Sequence, residues 1–290
     1  MKTYLLKGAL TGLFLWALAY PFYQNTQLSK PDIDKTNEKT AKVNQPELAT
    51  WLTDYPEPVD FAKISDVKQK KLTFFSYFYP LISAHNAWIL EARKFVQDYQ
   101  TALNQNRQIN TVSQTYLAEL FGRYKIDAEQ ANQKQLTILI KQLLKRMDVI
   151  PPELILIQAA NESGWGTSRF AREGKNYFGQ WCYQAGCGLV PNQRIEGMNH
   201  EVAAYEHAYE ALDSYFINMN TNPAYRILRD MRASYRKMGQ VPSAEVLATG
   251  LMNYSERGAD YVQDIISMIR SNQSLLTEAK MLSLQSDHES

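Results

Sequence analysis

Glu162 is the residue whose setting speaks most directly of chemistry. It stands near the end of the stretch Pro151-Pro152-Glu153-Leu154-Ile155-Leu156-Ile157-Gln158-Ala159-Ala160-Asn161-Glu162, and Ser163-Gly164-Trp165-Gly166 follows. Two prolines suit the opening of a helix, where the missing N–H costs nothing. Leu154 to Ile157 are apolar on every side, which points to a buried helix, and the glycines stop it. A carboxylate in the last turn meets the negative pole of the helix dipole and the unpaired carbonyls there. With desolvation by Trp165 added, ionisation is disfavoured and the pKa rises. A general acid needs such an environment to keep its proton near neutral pH. The same residues also fit a partly exposed glutamate at a frayed helix end, and the helix pattern leaves both readings open.

The elements that must hold Glu162 read as mostly helical. From about Val67, Phe74, Phe75, Phe78, Leu81, Ile82, Trp88, Ile89 and Leu90 recur at helical spacing, with a bend expected at Pro80. A second helix covers about 112–123. A third is expected to start at Asp127, with Gln130 as its capping-box partner, and to run to about Met147. Beyond Glu162, Gly188-Leu189-Val190 and Val202-Ala203-Ala204-Tyr205 read as the strands of a short hairpin. Helices return from 207, including one opened by Pro242-Ser243 and ending near Tyr254, and a last one marked by Tyr261, Ile265, Ile266 and Ile269. The expected fold is therefore mainly α (α+β), with a small β hairpin beside the acid-bearing helix.

The flanks read differently. Lys2 and Lys7 precede an apolar run from Gly8 to Phe22, in which Ala17-Leu18-Ala19 resembles a cleavage site. Residues 1–22 are thus an export signal or, if uncleaved, an inner-membrane anchor. Residues 23–66 are polar with scattered prolines and read as a flexible linker. Residues 67–148 form a helical N-terminal subdomain, 149–270 the domain carrying Glu162, and 271–290 a polar tail expected to fray.

Composition narrows the function classes. The 290 residues carry 31 Lys and Arg against 30 Asp and Glu, a net charge of +1, which gives no basic face for nucleic acid. The 18 tyrosines and five tryptophans supply cores first, and also suit carbohydrate clefts, where sugar faces stack on rings. Phosphate-binding loops, dinucleotide fingerprints, nucleophile elbows and zinc-protease pairs are missing from the sequence. Cys182 and Cys187, the only cysteines, flank a Gly-containing turn and read as a local disulfide in an exported chain, ahead of free thiols or a metal site. His85, His200, His207 and His288 show no ligand spacing, so neither metal nor cofactor is expected. An acid at a helix end, facing a hairpin with further carboxylates and aromatics, fits glycoside hydrolysis.

Glu162-Ser163-Gly164-Trp165-Gly166, with Ser168 and then Asn176-Tyr177-Phe178-Gly179 downstream, resembles the glucosaminidase domain of glycoside hydrolase family 73. That family includes the peptidoglycan-cleaving domain of the flagellar rod muramidase. The resemblance continues through Tyr205, Asn222-Pro223-Ala224-Tyr225, Tyr254 and Asp260-Tyr261, and covers about residues 140–270. It implies a lysozyme-like fold that hydrolyses the β-1,4 bond on the reducing side of N-acetylglucosamine in peptidoglycan glycan strands. By the same resemblance Glu162 is the general acid, and Tyr254 matches a tyrosine of the family's cleft; read bare, Tyr254 is a packed helix-end aromatic.

In that family a second carboxylate sits on the hairpin. Glu196 in Arg194-Ile195-Glu196-Gly197 is the first candidate and Glu201 the second, although each also reads as a solvated hairpin charge. The substrate's own acetamido group is the alternative. Asn176 and Phe178 are expected among the substrate-binding residues, with Phe178 and Gly179 matching a family motif that shapes the cleft. Trp165, Trp181 and Tyr205 are candidates to stack on sugars, with core packing the ordinary reading. The expected protein is a monomeric, periplasmic peptidoglycan hydrolase; a lytic transglycosylase and a catalytically weak wall-binding scaffold are the other readings.

Overall fold

A single long helix forms the spine. In the computed structural model, residues 40–41, 57–192 and 200–289 are described, and among them the 38-residue helix α1 (Val67–Asn104) is the longest. Asp66 opens it by accepting the Gln69 N–H at 2.7 Å. Pro80 lies inside it without ending it. Of the apolar stripe read from Phe74 to Leu90, the members through Ile89 are buried while Leu90 is exposed, and the buried face continues through Phe95 and Val96. Helices α2 (Thr111–Arg123) and α3 (Gln133–Arg146) follow, and two-residue strands β1 (Thr40–Ala41) and β2 (Gln108–Ile109) pair in parallel.

The start of α3 corrects the sequence reading. The capping box uses Asn132 and Gln135, each side chain bonding the other's backbone N–H. Asp127 instead accepts from the Glu129 N–H in a preceding turn. Both residue pairs have the right spacing; the chain spends the first on a turn because Ile126 is buried directly after α2.

Next come α4 (Pro152–Ser163), which carries Glu162, and the short α5 (Arg169–Gly174). A three-stranded antiparallel sheet follows, in the order β3 (Trp181–Cys182), β5 (Glu201–Ala203), β4 (Gly188–Leu189). Trp181 lies opposite Val202 and Cys182 opposite Glu201, while Gly188 lies opposite Ala203. The expected hairpin strands are present in shortened form, with a third strand added. Helices α6 (Ala208–Thr221), α7 (Arg226–Lys237), α8 (Ala244–Ala248), α9 (Ala259–Ser271) and α10 (Gln273–Glu289) complete the fold. The molecule is mainly helical with one small antiparallel sheet, as a lysozyme-like α+β domain requires.

Two flanking segments differ from expectation. The stretch read as linker is folded from residue 57 onward: Asp60 caps a 3-10 turn at Phe61–Lys63, and Phe61 is fully buried. The stretch read as a fraying tail is α10, which packs on α1 with Leu275, Leu276 and Ala279 buried. The expected signal or anchor at 1–22 and most of the linker lie outside the described residues.

Helix α4 is held on all sides. Leu154, Ile155, Leu156, Ile157, Ala159 and Ala160 are fully buried in a core shared with α1, α6 and α9. Its entry is pinned by Asn86 of α1, whose amide donates to the Ile150 carbonyl at 2.8 Å and accepts from the Ile150 N–H at 3.2 Å. At its exit Gly164 takes the left-handed conformation (φ +57), and the Trp165 N–H returns to the Ala160 carbonyl at 2.8 Å. Ser163 ties the turn by donating to the Ala159 carbonyl and accepting from the Gly166 N–H.

Gly166 is also left-handed (φ +76), and a Cβ there would lie 2.3 Å from Cδ2 of Phe61. Gly166→Ala therefore adds backbone strain to overpacking and should cost about 2–4 kcal/mol of stability. Chemical denaturation would read this as a lower midpoint; an unchanged midpoint would contradict the close packing of Phe61 beneath the motif.

Candidate active site

Burial and geometry both select Glu162. Its carboxyl is half-buried at the end of α4, and burial pushes its pKa above the ordinary glutamate value. Hydrogen bonds from Tyr261 and Asn161 pull the other way. Both reach the same oxygen: the Tyr261 hydroxyl donates to Oε1 at 2.9 Å and the Asn161 amide at 3.3 Å. Oε2 is left beside Gly179, where a Cβ would stand 3.9 Å away. The proton of the neutral acid is thus favoured on Oε2, the oxygen without a donor among the described residues.

A buried chain of hydrogen bonds lies behind that carboxyl. The Tyr215 hydroxyl donates to Gln158 Oε1 at 2.6 Å. Gln158 Nε2 donates to the Tyr261 hydroxyl at 3.1 Å, and Tyr261 donates on to Glu162. Each donor points the same way, towards Oε1. Burial raises the Tyr261 and Tyr215 phenol pKa values, so both remain donors across the working pH range. None of these three residues was foreseen at the site. The usable signal was Gln158, a polar residue directly after the apolar run of this helix and one turn before Glu162.

Tyr261→Phe removes a donor that favours the charged carboxylate, so the Glu162 pKa should rise further. The alkaline limb of the activity profile should then move to higher pH. A pH–rate comparison in which the limb stays or moves down would contradict the bond's role.

Glu162 opens into a cleft of about 550 Å³, lined also by Lys125, Phe178, Trp181, Tyr183, Asn218, Tyr225 and Tyr254, among others. Tyr254 stacks on Tyr261 (centroids 5.2 Å apart, planes 12° apart) and lies beside Tyr225. It sits in turns after a short 3-10 segment rather than at a helix end, and its hydroxyl is 3.4 Å from the Phe178 carbonyl. Phe178 is buried and stacks on Tyr215, so it shapes the wall from behind. Trp181 (52% exposed) and Tyr183 (77% exposed) stand at the rim, Trp181 with His200 against its ring (centroids 4.1 Å apart). Such rings are suited to sugar faces.

The other candidates lie elsewhere. Asn176 is buried; its amide donates to the Gln180 and Ala203 carbonyls and accepts from the Phe178 and Gln180 N–H groups. It folds the wall and has nothing left for a ligand. The Trp165 ring packs edge-on against Phe74 and Phe75 under the Lys71 ammonium, away from the cleft lining. Tyr205 packs against the core and bonds Ser214, which itself lines the cleft. Cys182 and Cys187 form a disulfide. The buried Glu201 accepts from the Gly186 and Gly188 N–H groups at 3.0 and 2.8 Å, so it braces the disulfide loop that bears Tyr183. Ligand atoms of Cys182, Cys187 and Glu201 lie within 4.8 Å of one another, but sulfurs bonded to each other offer no thiolate to a metal. Glu196 lies outside the described residues. Among the described residues lining the cleft, Glu162 is the sole carboxylate.

Residues 137–274 match the glucosaminidase family model, described as mannosyl-glycoprotein endo-beta-N-acetylglucosaminidase. The chain belongs to this glucosaminidase family, which makes it a glycosidase. It is 31% identical over 219 residues to protein bax of Escherichia coli (strain K12), covering 75% of each chain. No solved structure matches it.

Proposed function

We propose that this protein is a peptidoglycan hydrolase, an endo-β-N-acetylglucosaminidase that cleaves the β-1,4 bond after N-acetylglucosamine with Glu162 as general acid. The observation that carries this reading is the carboxyl itself. One oxygen is tied to Tyr261 and Asn161, the other has no donor among the described residues and stands beside an open cleft, and burial raises the carboxyl's pKa above the ordinary glutamate value. A glycosidic oxygen within reach of Oε2 would take that proton as its bond to the anomeric carbon breaks, and positive charge would develop on the sugar ring. The electron-rich faces of Trp181 and Tyr183 would hold neighbouring sugars. Tyr254 would form the wall beside the acid.

Completion of the reaction needs a water and something to direct it. The sugar's own acetamido oxygen can stabilise the cation until water arrives, and Glu196 is the candidate side chain. That Glu162 is the sole carboxylate among the described lining residues also favours a second reading, a lytic transglycosylase, in which an internal hydroxyl replaces water. The export signal read at Gly8–Phe22 supports a periplasmic protein, free or held at the inner membrane, acting as a monomer on glycan strands.

Mass spectrometry of purified sacculi digested by the protein tests the proposal. New reducing ends at N-acetylglucosamine are expected. Anhydro-muramic termini alone would establish the lytic reading instead, and release of no fragments would leave a wall-binding scaffold.

A further inference from the structure

We propose that Lys125 forms an anion subsite of this cleft and takes a carboxylate carried by the bound glycan. The inference rests on the cleft being a glycan site. Lys125 is the one cation among the described residues that line it. The acid there, Glu162, is held towards its neutral form by burial. The remaining described lining carries no other acidic or basic side chain, so Lys125 is the fixed positive charge of this wall. No ion-pair partner of the Lys125 ammonium occurs among the described residues.

The backbone around Lys125 is fixed to an unusual degree for an exposed lysine. Lys125 has φ +55, a left-handed conformation that favours glycine or asparagine. Tyr124 and Ile126 on either side are buried, 1% and 6% exposed. Arg146 of α3 donates through Nη1 to both the Tyr124 and the Lys125 carbonyls, at 2.6 and 2.7 Å. Arg123 pairs with Asp213 of α6, the neighbour of the cleft residue Ser214. Three consecutive residues, Arg123 to Lys125, are thereby docked to α3 and α6, and the side chain of the last lines the cleft. A cation on a fixed stub loses less freedom on binding than one on a mobile loop. Strain kept at a non-glycine residue facing a site is a reason to look for function there.

A plain helix-end role is the alternative, because a lysine after α2 also favours the helix dipole. The two roles separate by readout: a dipole partner affects stability, whereas a subsite affects selectivity. Neutral N-acetylglucosamine oligomers carry no carboxylate. Wall-type glycans carry one on the lactyl ether of muramic acid when the peptide stem is removed, and on the stem when it is present.

The test uses the full chain with Glu162→Gln, so that binding is measured without turnover. Dissociation constants are compared for neutral oligomers, stem-free glycan fragments and stem-bearing fragments. Tighter binding of at least one carboxylated ligand is expected, and raised salt should weaken that preference. Adding Lys125→Asn, which keeps the left-handed backbone accessible, should reduce the preference about two- to fivefold; Lys125→Arg should retain it. Loss confined to the stem-free fragments identifies the lactyl carboxylate, and loss confined to the stem-bearing ones identifies the stem. Equal loss for all three ligands, an unchanged preference, or binding of none would overturn the subsite. Cleavage of sacculi by wild type alongside an unchanged preference would sink the subsite while leaving the hydrolase reading intact. A Lys125-dependent preference without any cleavage would do the reverse.

Discussion

Glu162→Gln is expected to slow glycan cleavage about 10³-fold while leaving glycan binding and melting temperature near wild type. Glutamine has the shape of the acid and can still accept from the Tyr261 hydroxyl and Asn161 amide through its carbonyl oxygen. The group then facing Gly179 is an amide, which has no acidic proton to give. General acid catalysis contributes on the order of 10²–10⁴ in rate, so the loss should fall within that span. Fragment release from sacculi measures the rate, and binding to non-hydrolysed glycan measures the rest. A variant within tenfold of wild type would remove Glu162 from the acid's role. Loss of binding and folding together would show a structural residue instead.

Asp148→Ala is expected to cost about 3–5 kcal/mol of stability. Asp148 is buried at the entrance to α4 and gathers three arginines. Arg236 bonds both of its carboxylate oxygens, and Arg93 and Arg232 approach at 3.5 and 3.9 Å. The two closest-packed guanidinium groups are themselves buried: Arg93 bonds the Leu144 and Met147 carbonyls, while Arg232 bonds the Asp148, Val149 and Arg146 carbonyls and Asn220. Removing the carboxylate leaves these cations without their counter-charge. The cluster also fixes where α4 begins, so the variant should lose activity earlier on heating than it loses helical signal. Urea denaturation gives the magnitude; a change below about 1 kcal/mol would mean that the arginines find other partners.

Legibility from the sequence followed the range of the interactions. Helix α4 was readable because its signals are local: prolines before it, an unbroken apolar run, and glycines after it. The disulfide was readable for the same reason, from a separation of five residues across a turn. Phe61 was not, because its surroundings are polar and its partner Gly166 lies more than a hundred residues away. Helix α10 was missed because Leu275, Leu276 and Ala279 make a narrow stripe in a polar segment, and α1 completes it.

The site divides in the same way. The sequence marks Glu162 by its place on a helix, and it marks Trp165 and Trp181 as tryptophans near that helix. Residue type does not say which ring turns into the core and which stays open. The left-handed backbone at Trp165 and the strand pairing of Trp181 decide that. Tyr261 bonds Glu162 directly, and Tyr215 is linked to it through Gln158 and Tyr261, a relay across three helices that no local pattern encodes. Lys125 lies before the matched family region, and only folding brings it to the cleft.

Carbon-detected NMR titration of the Glu162 side-chain carboxyl, assigned by its loss in Glu162→Gln, tests the acid most directly. Burial raises the folded-state pKa, so the protonated form should persist above the ordinary glutamate range, and hydrolysis, which needs that proton, should be retained below the midpoint and lost as pH rises through it. The expected result is a midpoint above the ordinary value that coincides with the alkaline limb of the activity profile. A midpoint at or below the ordinary value, or activity that keeps climbing past it into alkaline pH, would contradict Glu162 as the proton donor.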